Sequence, residues 1–250
     1  MTMPPDLRHA SVNRRRLALR HRKGAHATLL FLPGYASDMD GSKAIAIDEY
    51  AAATGLACLR FDYSGTGLSG GQFRHGTLER WLEEVIHMID RVAMRGPIIL
   101  IGSSMGGWLA LLAALKRPKR VAALLGIAAA PDFTQWGFDE GEKSTILDEG
   151  KLEEDNPYGP EPFVTYHGFW QSGQEHLLLD KKIRLKIPVR LVHGDQDEDV
   201  PVKIALRTLK QLTGDAQLRV VRGGGHRMSE PDQIEAILAE LSALVAKVTA

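Results

Sequence analysis

Six short runs of apolar, strand-forming residues recur along this chain, and none of them alternates between apolar and polar side chains. Continuous apolar strands indicate a sheet that is covered on both faces, as in repeated βαβ units. The pattern therefore predicts an α/β fold with a doubly wound, mostly parallel sheet. The six runs span residues 27–32, 56–63, 97–103, 121–130, 187–193 and 217–222.

Helical patterns separate several of these runs. The clearest spans residues 77–95, where apolar side chains recur at helical spacing, Thr77 is a suitable N-cap and Gly96-Pro97 is a stop signal. Residues 108–116 are apolar almost all round, which predicts a buried helix, and residues 230–248, capped by Ser229, predict the last helix. We expect residues 1–250 to form a single domain, since α/β folds commonly run to about 250 residues.

Residues 133–180 interrupt this alternation and show no evident strand-helix unit. Long excursions from a compact sheet are uncommon and often form lids or binding segments. We expect a small lid insertion in which at least two aromatic side chains face the substrate, and in which His167 and His176 are further candidates for substrate contact. The segment holds half of the chain's aromatic residues: Phe133, Trp136, Phe138, Tyr158, Phe163, Tyr166, Phe169 and Trp170.

The composition excludes several classes of protein. Lys and Arg number 31 and are balanced by 31 Asp and Glu, so there is no global positive field of the kind that attracts nucleic acid. No apolar run approaches the roughly 20 residues of a transmembrane helix, so we expect no stable membrane insertion. The single Cys58 cannot form an internal disulfide; we expect a small core residue and a reducing compartment.

The first 37 residues are rich in arginine and weakly resemble an organelle transit peptide. Within them, however, Leu17 and Leu19 alternate with charged residues, and Lys23-Gly24 turns the chain toward the run at 27–32. We interpret this segment as an edge hairpin with a solvated basic face. With no room for a cleaved presequence before it and no secretory apolar segment, we expect a cytoplasmic protein.

The strongest chemical motif is Gly102-Ser103-Ser104-Met105-Gly106, a G-x-S-x-G directly between a predicted strand and a predicted buried helix. This context indicates a nucleophile elbow, a sharp turn that lifts the serine hydroxyl clear of the sheet. Ser103 is a competing hydroxyl, but only Ser104 has glycine two positions away on both sides. Ser104 is therefore the predicted nucleophile.

A carbonyl under attack also needs hydrogen-bond donors for its developing negative charge. The helix that follows the elbow aims its N-terminus and the amide of Met105 at this oxygen. The second donor is expected in the loop Pro33-Gly34-Tyr35, after the run at 27–32. Because Pro33 has no amide hydrogen, the amide of Tyr35 is the predicted partner.

A nucleophilic serine needs a base, and the base needs an acid that orients it. His226 follows three glycines at the end of a late predicted strand, which favours it as the base. The acid is expected at residues 195–199, in the turn after the strand 187–193. We prefer Asp197 there, with the neighbouring carboxylates and a residue at the end of an earlier strand left as alternatives: Asp195, Glu198, Asp199 and Asp132.

Two patterns imitate ligand sites. The spacing Asp-x-Asp-x-Asp from Asp195 suggests a calcium loop, but its sixth and twelfth positions are Val200 and Leu206 instead of Gly and Glu. Residues 65–70 form a literal GxGxxG, the motif of dinucleotide-binding sites. The next predicted helix begins only at about Thr77, so a bound phosphate would not lie at a helix N-terminus. Neither pattern is interpreted as a site, and no cofactor or metal is implied.

These residues carry a resemblance to a known family. The elbow, Asp197 and His226 resemble the α/β-hydrolase superfamily, and three strings resemble the family of abhydrolase domain-containing protein ten and its bacterial relatives: FLPGYASDMDGSKAIAI, CLRFDYSGTGLSGG and GSSMGGWLALLAAL. The resemblance runs from about residue 29 to the last helix and is weakest in the lid. It implies the α/β-hydrolase fold, with Ser104, Asp197 and His226 as nucleophile, acid and base.

That family is known for removing S-acyl groups from protein cysteines and for hydrolysing mycophenolic acid acyl-glucuronide. The resemblance therefore implies a serine hydrolase that takes a small-molecule or protein-linked acyl thioester or ester through an acyl-enzyme. Three alternatives stay open at this point: a general carboxylesterase, a carbon-carbon bond hydrolase, and a ligand-binding receptor of the same fold. The oligomeric state is not predicted.

Overall fold

In the computed structural model, which describes residues 5–156 and 160–249, eight strands form one sheet in the order β1-β2-β4-β3-β5-β6-β9-β10. Every neighbouring pair from β4 to β10 is parallel, and only β1 and β2 are antiparallel to their neighbours. The mostly parallel sheet predicted from the apolar runs is thus confirmed. The strands are β1 (Leu7–Val12), β2 (Arg15–Arg22), β3 (Ala25–Leu32), β4 (Leu56–Phe61), β5 (Ile98–Ser103), β6 (Val121–Ile127), β7 (Lys151–Glu154), β8 (Phe163–Tyr166), β9 (Val189–Gly194) and β10 (Ala216–Val221).

Helices cover both faces of this sheet. Alternate residues of one strand enter two separate cores: Leu30 belongs to the core that also holds residues of α2, α3 and α7, and Leu29 belongs to the core that also holds residues of α1 and α8. This arrangement explains why the strands show no polar alternation. The helices are α1 (Ser42–Thr54), α2 (Leu78–His87), α3 (Met105–Lys116), α4 (Phe133–Trp136), α5 (Glu140–Glu149), α6 (His167–Gln174), α7 (Val202–Gln211) and α8 (Pro231–Thr249).

The predicted helices are present, with shifted ends. The Thr77 side chain accepts a hydrogen bond from the amide of Arg80 and caps α2 as expected. The helix is shorter than predicted, because after His87 it passes into a π-helical turn that ends where Ala93 donates to the Met88 carbonyl. Helix α8 begins at Pro231, so Glu230 and not Ser229 directly precedes its first turn.

The N-terminal hairpin forms at a different place from the one expected. Its turn is Asn13-Arg14, with φ of 46° and 67°, and its second strand, β2, pairs with β4 instead of β3. Gly24 makes this crossing possible, because a Cβ atom there would lie 2.1 Å from the backbone of Leu56 at the start of β4. The basic face is also not simply solvated, since Arg22 is ion-paired to Asp48 at 2.7 Å.

Residues 133–180, which we call the insertion, contain more regular structure than the sequence predicted. Helices α4, α5 and α6 and the antiparallel pair β7-β8 all lie within it. One local signal was available: the side chain of Asp139 and that of Glu142 form a reciprocal capping box at the start of α5. Asp132 closes the base of the insertion, because its buried carboxylate accepts from the amides of Leu178 and Leu179 at 2.8 and 2.7 Å.

Cys58 is fully buried in β4, as expected for a core residue. Among the residues that the structure describes, no helix is both long enough and apolar enough to cross a membrane.

The parallel sheet places the candidate residues together. Ser104 follows β5, Asp197 follows β9 and His226 follows β10. Since the carboxyl ends of parallel strands meet at one edge of a sheet, all three loops open on the same edge.

Candidate active site

Ser104 occupies the turn between β5 and α3 with φ of 54° and ψ of −121°. A positive φ is unusual for a residue other than glycine, and such strain persists only where the surroundings hold it. Here the Ser104 amide donates to the carbonyl of Ile127 at 2.9 Å, and the Ser104 carbonyl accepts from Gly107 and Ala130. The backbone on both sides of the hydroxyl is therefore fixed.

The two flanking glycines of the elbow have a steric reason. A Cβ atom at Gly102 would lie 2.2 Å from the carbonyl oxygen of Gly106, and one at Gly106 would lie 2.1 Å from that of Leu32. Any side chain at either position would push strand and helix apart. The elbow therefore requires glycine at both positions.

His226 lies between Ser104 and Asp197. Its Nε2 is 3.1 Å from the Ser104 Oγ, and its Nδ1 is 2.9 Å from the Asp197 Oδ2. An imidazole placed in this way can take the hydroxyl proton while the carboxylate holds the ring in the required tautomer. The structure thus brings together the three residues that the sequence assigned to nucleophile, base and acid.

Close contact between two loops sets this geometry. The amide of Gln196 donates to the Gly224 carbonyl at 2.9 Å, and the amide of Gly223 donates to the Asp195 carboxylate at 2.6 Å. A Cβ atom at Gly194 would lie 2.0 Å from the Gly224 oxygen, so glycine is needed at this contact as well. The glycines before His226 therefore let the loop that carries the base pack on the loop that carries the acid.

Asp197 is the candidate acid whose carboxylate contacts the imidazole. Its side chain is 0% exposed, and its Oδ1 accepts from the amide of Val200 at 2.8 Å. The carboxylate of Asp195 accepts a hydrogen bond from the amide of Gly223, and Glu198 and Asp199 are exposed. The fifth candidate, Asp132, anchors the insertion as described above. The carboxylates of Asp195 and Asp197 therefore have different partners.

The predicted oxyanion donors flank Ser104. In the described part of the chain, no hydrogen-bond acceptor contacts the amide of Tyr35 or that of Met105. Met105 is the first residue of α3, and a Cβ atom at Gly34 would lie 3.3 Å from the Cβ of Ser104, so the loop of Tyr35 packs directly against the serine. Both amides are thus available beside the hydroxyl.

The side chain of Tyr35 has a contact that the sequence did not reveal. Its hydroxyl donates to the carbonyl oxygen of Val164, in β8 of the insertion, at 2.8 Å. Its ring packs against Phe133 and Phe169 of the insertion, with centroids 5.9 and 4.6 Å away. Burial raises the pKa of this phenol above its usual value, so it stays protonated and remains a donor.

A cavity of about 810 Å³ opens over Ser104 and His226. Four aromatic residues of the insertion line it: Phe133, Trp136, Phe138 and Phe163. Within the described residues, Tyr166, Phe169 and Trp170 do not line it, nor do His167 and His176, while Tyr158 lies outside the described residues. On the side of the insertion the wall is therefore half aromatic, and the other lining residues there are Gly137, Glu154, Asp155 and Thr165.

Lys43, on α1, is a cavity residue that the sequence analysis missed. It lines the cavity, and its ammonium donates to the carbonyl oxygen of Arg227, next to His226. Burial and, to a smaller extent, the charge of Arg227 lower the pKa of Lys43 from 10.5 to about 8. Nothing in the local sequence indicates this contact, because it joins residues 184 positions apart.

The GxGxxG pattern at residues 65–70, which imitates a dinucleotide site, has a structural role. Residues 65–70 wrap around the carboxylate of Asp62, which accepts from the amides of Leu68 and Met39 at 2.7 Å each. The next α-helix begins only at Leu78, as the sequence indicated. No cluster of three or more His, Cys, Asp or Glu side chains suited to a metal ion is found in the ranges 5–156 and 160–249.

Comparison with known proteins agrees with the fold and with the resemblance noted from the sequence. The sequence model of the serine aminopeptidase S33 family matches residues 23–138. The human mitochondrial palmitoyl-protein thioesterase ABHD10 is 36% identical over 238 residues, which cover 93% of this chain and 78% of the human protein.

Two solved structures of similar sequence superpose over nearly the whole chain. A putative hydrolase from Agrobacterium vitis S4 is 35% identical with a TM-score of 0.91, covering 97% of this chain and 100% of its own. The α/β-hydrolase domain-containing protein 10 from mouse is 35% identical with a TM-score of 0.90, covering 97% of this chain and 99% of its own. This chain therefore belongs to the α/β-hydrolase superfamily, within the family of the ABHD10 proteins, and is a hydrolase.

Proposed function

We propose that this protein hydrolyses acyl thioesters and carboxylic esters through Ser104, His226 and Asp197, with an activity like that of the palmitoyl-protein thioesterases. The observation that carries the proposal is the position of His226, whose imidazole lies within hydrogen-bond distance of both the Ser104 hydroxyl and the Asp197 carboxylate. Ser104 and His226 both line the cavity described above. The similarity to the human protein named as a palmitoyl-protein thioesterase also supports the proposal.

The first half of the reaction is acyl transfer to the enzyme. The Ser104 Oγ attacks the substrate carbonyl carbon while the His226 Nε2 takes its proton, and Asp197 stabilises the imidazolium that forms. The amides of Tyr35 and Met105 donate to the oxyanion. When the tetrahedral intermediate collapses, the bond to the leaving sulfur or oxygen breaks and His226 returns the proton to that atom.

Water completes the cycle. It attacks the acyl-enzyme carbonyl and gives its proton to His226; the carboxylic acid then leaves as the Ser104 oxygen regains the proton. These steps need only the side chains and amides named above.

The insertion is proposed to be a lid over the acyl group. Phe133, Trp136, Phe138 and Phe163 give the cavity an apolar wall on one side, although the insertion also contributes the carboxylates of Glu154 and Asp155 to the lining. The volume of about 810 Å³ lies within the range of small-molecule sites, roughly 300–1,000 Å³. Such a wall suits a hydrocarbon chain better than a polar group, because burying apolar surface is the main favourable term. We therefore propose an acyl chain as the group that the cavity takes.

Hydrolysis of matched S-acyl and O-acyl substrates, from acetyl to palmitoyl, tests the proposal. Wild type is compared with Ser104→Ala and with Ser103→Ala as the matched control for the neighbouring hydroxyl. We expect cleavage of medium or long acyl thioesters, almost complete loss in Ser104→Ala, and retained turnover in Ser103→Ala. Preference for short oxygen esters would favour the general carboxylesterase, and no cleavage of either series would favour the carbon-carbon hydrolase or the receptor.

The cellular location of this protein does not follow from its relatives. The mammalian ABHD10 proteins are named as mitochondrial proteins. Our expectation of a cytoplasmic protein stays a prediction.

A further inference from the structure

A second histidine contacts the proposed catalytic acid. His193 lies on β9 and is 1% exposed. Its Nε2 is 2.7 Å from the carbonyl oxygen of Val200 and 3.3 Å from the Asp197 Oδ2. That oxygen is the one that contacts the Nδ1 of His226 at 2.9 Å.

The contact with Val200 fixes the tautomer of His193. A carbonyl oxygen can only accept, so a distance of 2.7 Å requires the His193 Nε2 to carry a proton. The same N–H has the Asp197 Oδ2 as a second, longer acceptor. His193 therefore spans the turn from Asp197 to Val200 and contacts both of its ends.

The Asp197 carboxylate is thus held from three sides. Its Oδ1 accepts from the amide of Val200 at 2.8 Å, and its Oδ2 faces the nitrogens of His226 and His193. A buried carboxylate needs such donors because it has lost its water. With three of them, its orientation is over-determined.

The charge state of His193 matters for this arrangement. Burial lowers the pKa of His193; the hydrogen bond to the Val200 carbonyl and the charge of Asp197 oppose this effect without cancelling it, and the interaction with His226 is the smallest contribution, a further lowering. A neutral imidazole donates a hydrogen bond without neutralising the carboxylate. Asp197 therefore keeps the negative charge that would stabilise His226 when it becomes an imidazolium.

We propose that His193 is a positioning residue that fixes Asp197 and shares its Oδ2 with His226, and so sets how strongly this carboxylate supports the base. The inference rests on the proposed function, because His193 acts only through Asp197. The competing explanation is that His193 merely ties the turn at residues 197–200 and stabilises the fold.

The test compares His193→Gln, whose side-chain amide keeps a donor at similar reach, with His193→Met, which has similar length and no donor. For the Met variant we expect kcat to fall about tenfold or more, the size expected for a lost hydrogen bond to a charged group. KM should stay the same, because His193 does not line the cavity in the part of the chain that the structure describes. The Gln variant should recover most of kcat.

A pH profile separates positioning from mere stabilisation. Without the His193 donor, the Asp197 Oδ2 is a stronger acceptor for His226 and favours its imidazolium form, so the acid limb of the kcat profile should move by about 0.5 to 1 unit to higher pH in the Met variant. Asp197 and His226 are the titratable groups that act on His193, and Lys43, Asp199 and Arg227 line the cavity together with His226. A folded Met variant with the kcat and profile of the wild type would overturn the inference, as would equal losses in both variants.

A measurement on the wild type covers the case in which the Met variant does not fold. Nitrogen-15 NMR of the histidine side chains should find His193 neutral and protonated on Nε2 from pH 6 to 8; a proton on Nδ1 would overturn the inference. The two proposals fail in different ways. If Ser104→Ala or Asp197→Asn stays active, the proposed function fails; if both are inactive and His193→Met behaves as wild type, only this inference fails.

Discussion

The hydroxyl of Tyr35 donates a hydrogen bond of 2.8 Å to the carbonyl oxygen of Val164. This bond links the loop after β3, which packs against Ser104, to strand β8 of the insertion. One residue therefore offers its amide to the proposed oxyanion site and uses its side chain to hold the proposed lid. The position of the lid and the geometry of the site are mechanically connected through it.

Tyr35→Phe removes this bond and leaves the amide and the ring in place. A neutral hydrogen bond contributes about 1 kcal/mol net, so we expect KM for long acyl substrates to rise about fivefold as the insertion loosens. Turnover of an acetyl substrate, which needs less of the cavity, should change little. Steady-state kinetics across the chain-length series measure both, with Tyr50→Phe on α1 as the matched control. An unchanged KM at every chain length would contradict the link.

The choice of Asp197 over its neighbour can be tested by one pair of variants. Asp197→Asn removes the charge beside His226 and allows the wrong tautomer, so kcat should fall roughly 10³- to 10⁴-fold. Asp195→Asn keeps an oxygen for the amide of Gly223 and should keep kcat within about threefold, since this side chain is exposed. Stopped assays on both variants, with circular dichroism as the check on folding, decide the matter. Equal losses in the two variants would remove Asp197 from its assigned role.

Lys43 predicts a dependence of stability on pH. Its folded pKa is about 8 and its ordinary value is 10.5, so between these values the unfolded chain binds more protons than the folded one. The free energy of unfolding should therefore rise with pH over this interval, by up to about 3 kcal/mol at 1.36 kcal/mol per unit. Below pH 8 both states hold the proton, and the contribution stays constant.

Lys43→Met should remove this rise, because the stem remains and the titrating group is gone. Urea unfolding at pH 7, 8, 9 and 10 measures the difference between wild type and variant, and Lys119→Met, at an exposed lysine, is the matched control. Parallel stability curves for wild type and Lys43→Met would show that burial does not perturb Lys43.

Local patterns were enough to predict the sheet and the elbow. Strands such as β5 are buried on both faces, so they stand out in the sequence as continuous apolar runs. The glycines at 102 and 106 mark a turn in which no side chain fits at either position. Ser104, Asp197 and His226 were found because each follows a strand whose end lies on one edge. Their catalytic roles stay predictions until they are measured.

Long-range pairing could not be predicted in the same way. The sequence placed the hairpin turn at Lys23-Gly24, but β2 pairs with β4, a partner that becomes adjacent only when the sheet is assembled. The contacts of Lys43 and Tyr35 likewise join segments more than 100 residues apart. His193 is only four residues from Asp197, yet the local sequence does not indicate that the end of the strand and the turn after it bring the two side chains together.

The most direct test of the account is to identify the residue that a fluorophosphonate labels. The reagent forms a stable covalent bond only with a serine activated by a base, so intact mass and peptide mapping report the nucleophile itself. We predict one adduct, on Ser104, that is absent in Ser104→Ala, strongly slowed in Asp197→Asn and retained in Ser103→Ala. An adduct on another residue, or none on the folded wild type, would contradict the central claim that Ser104 is the activated nucleophile.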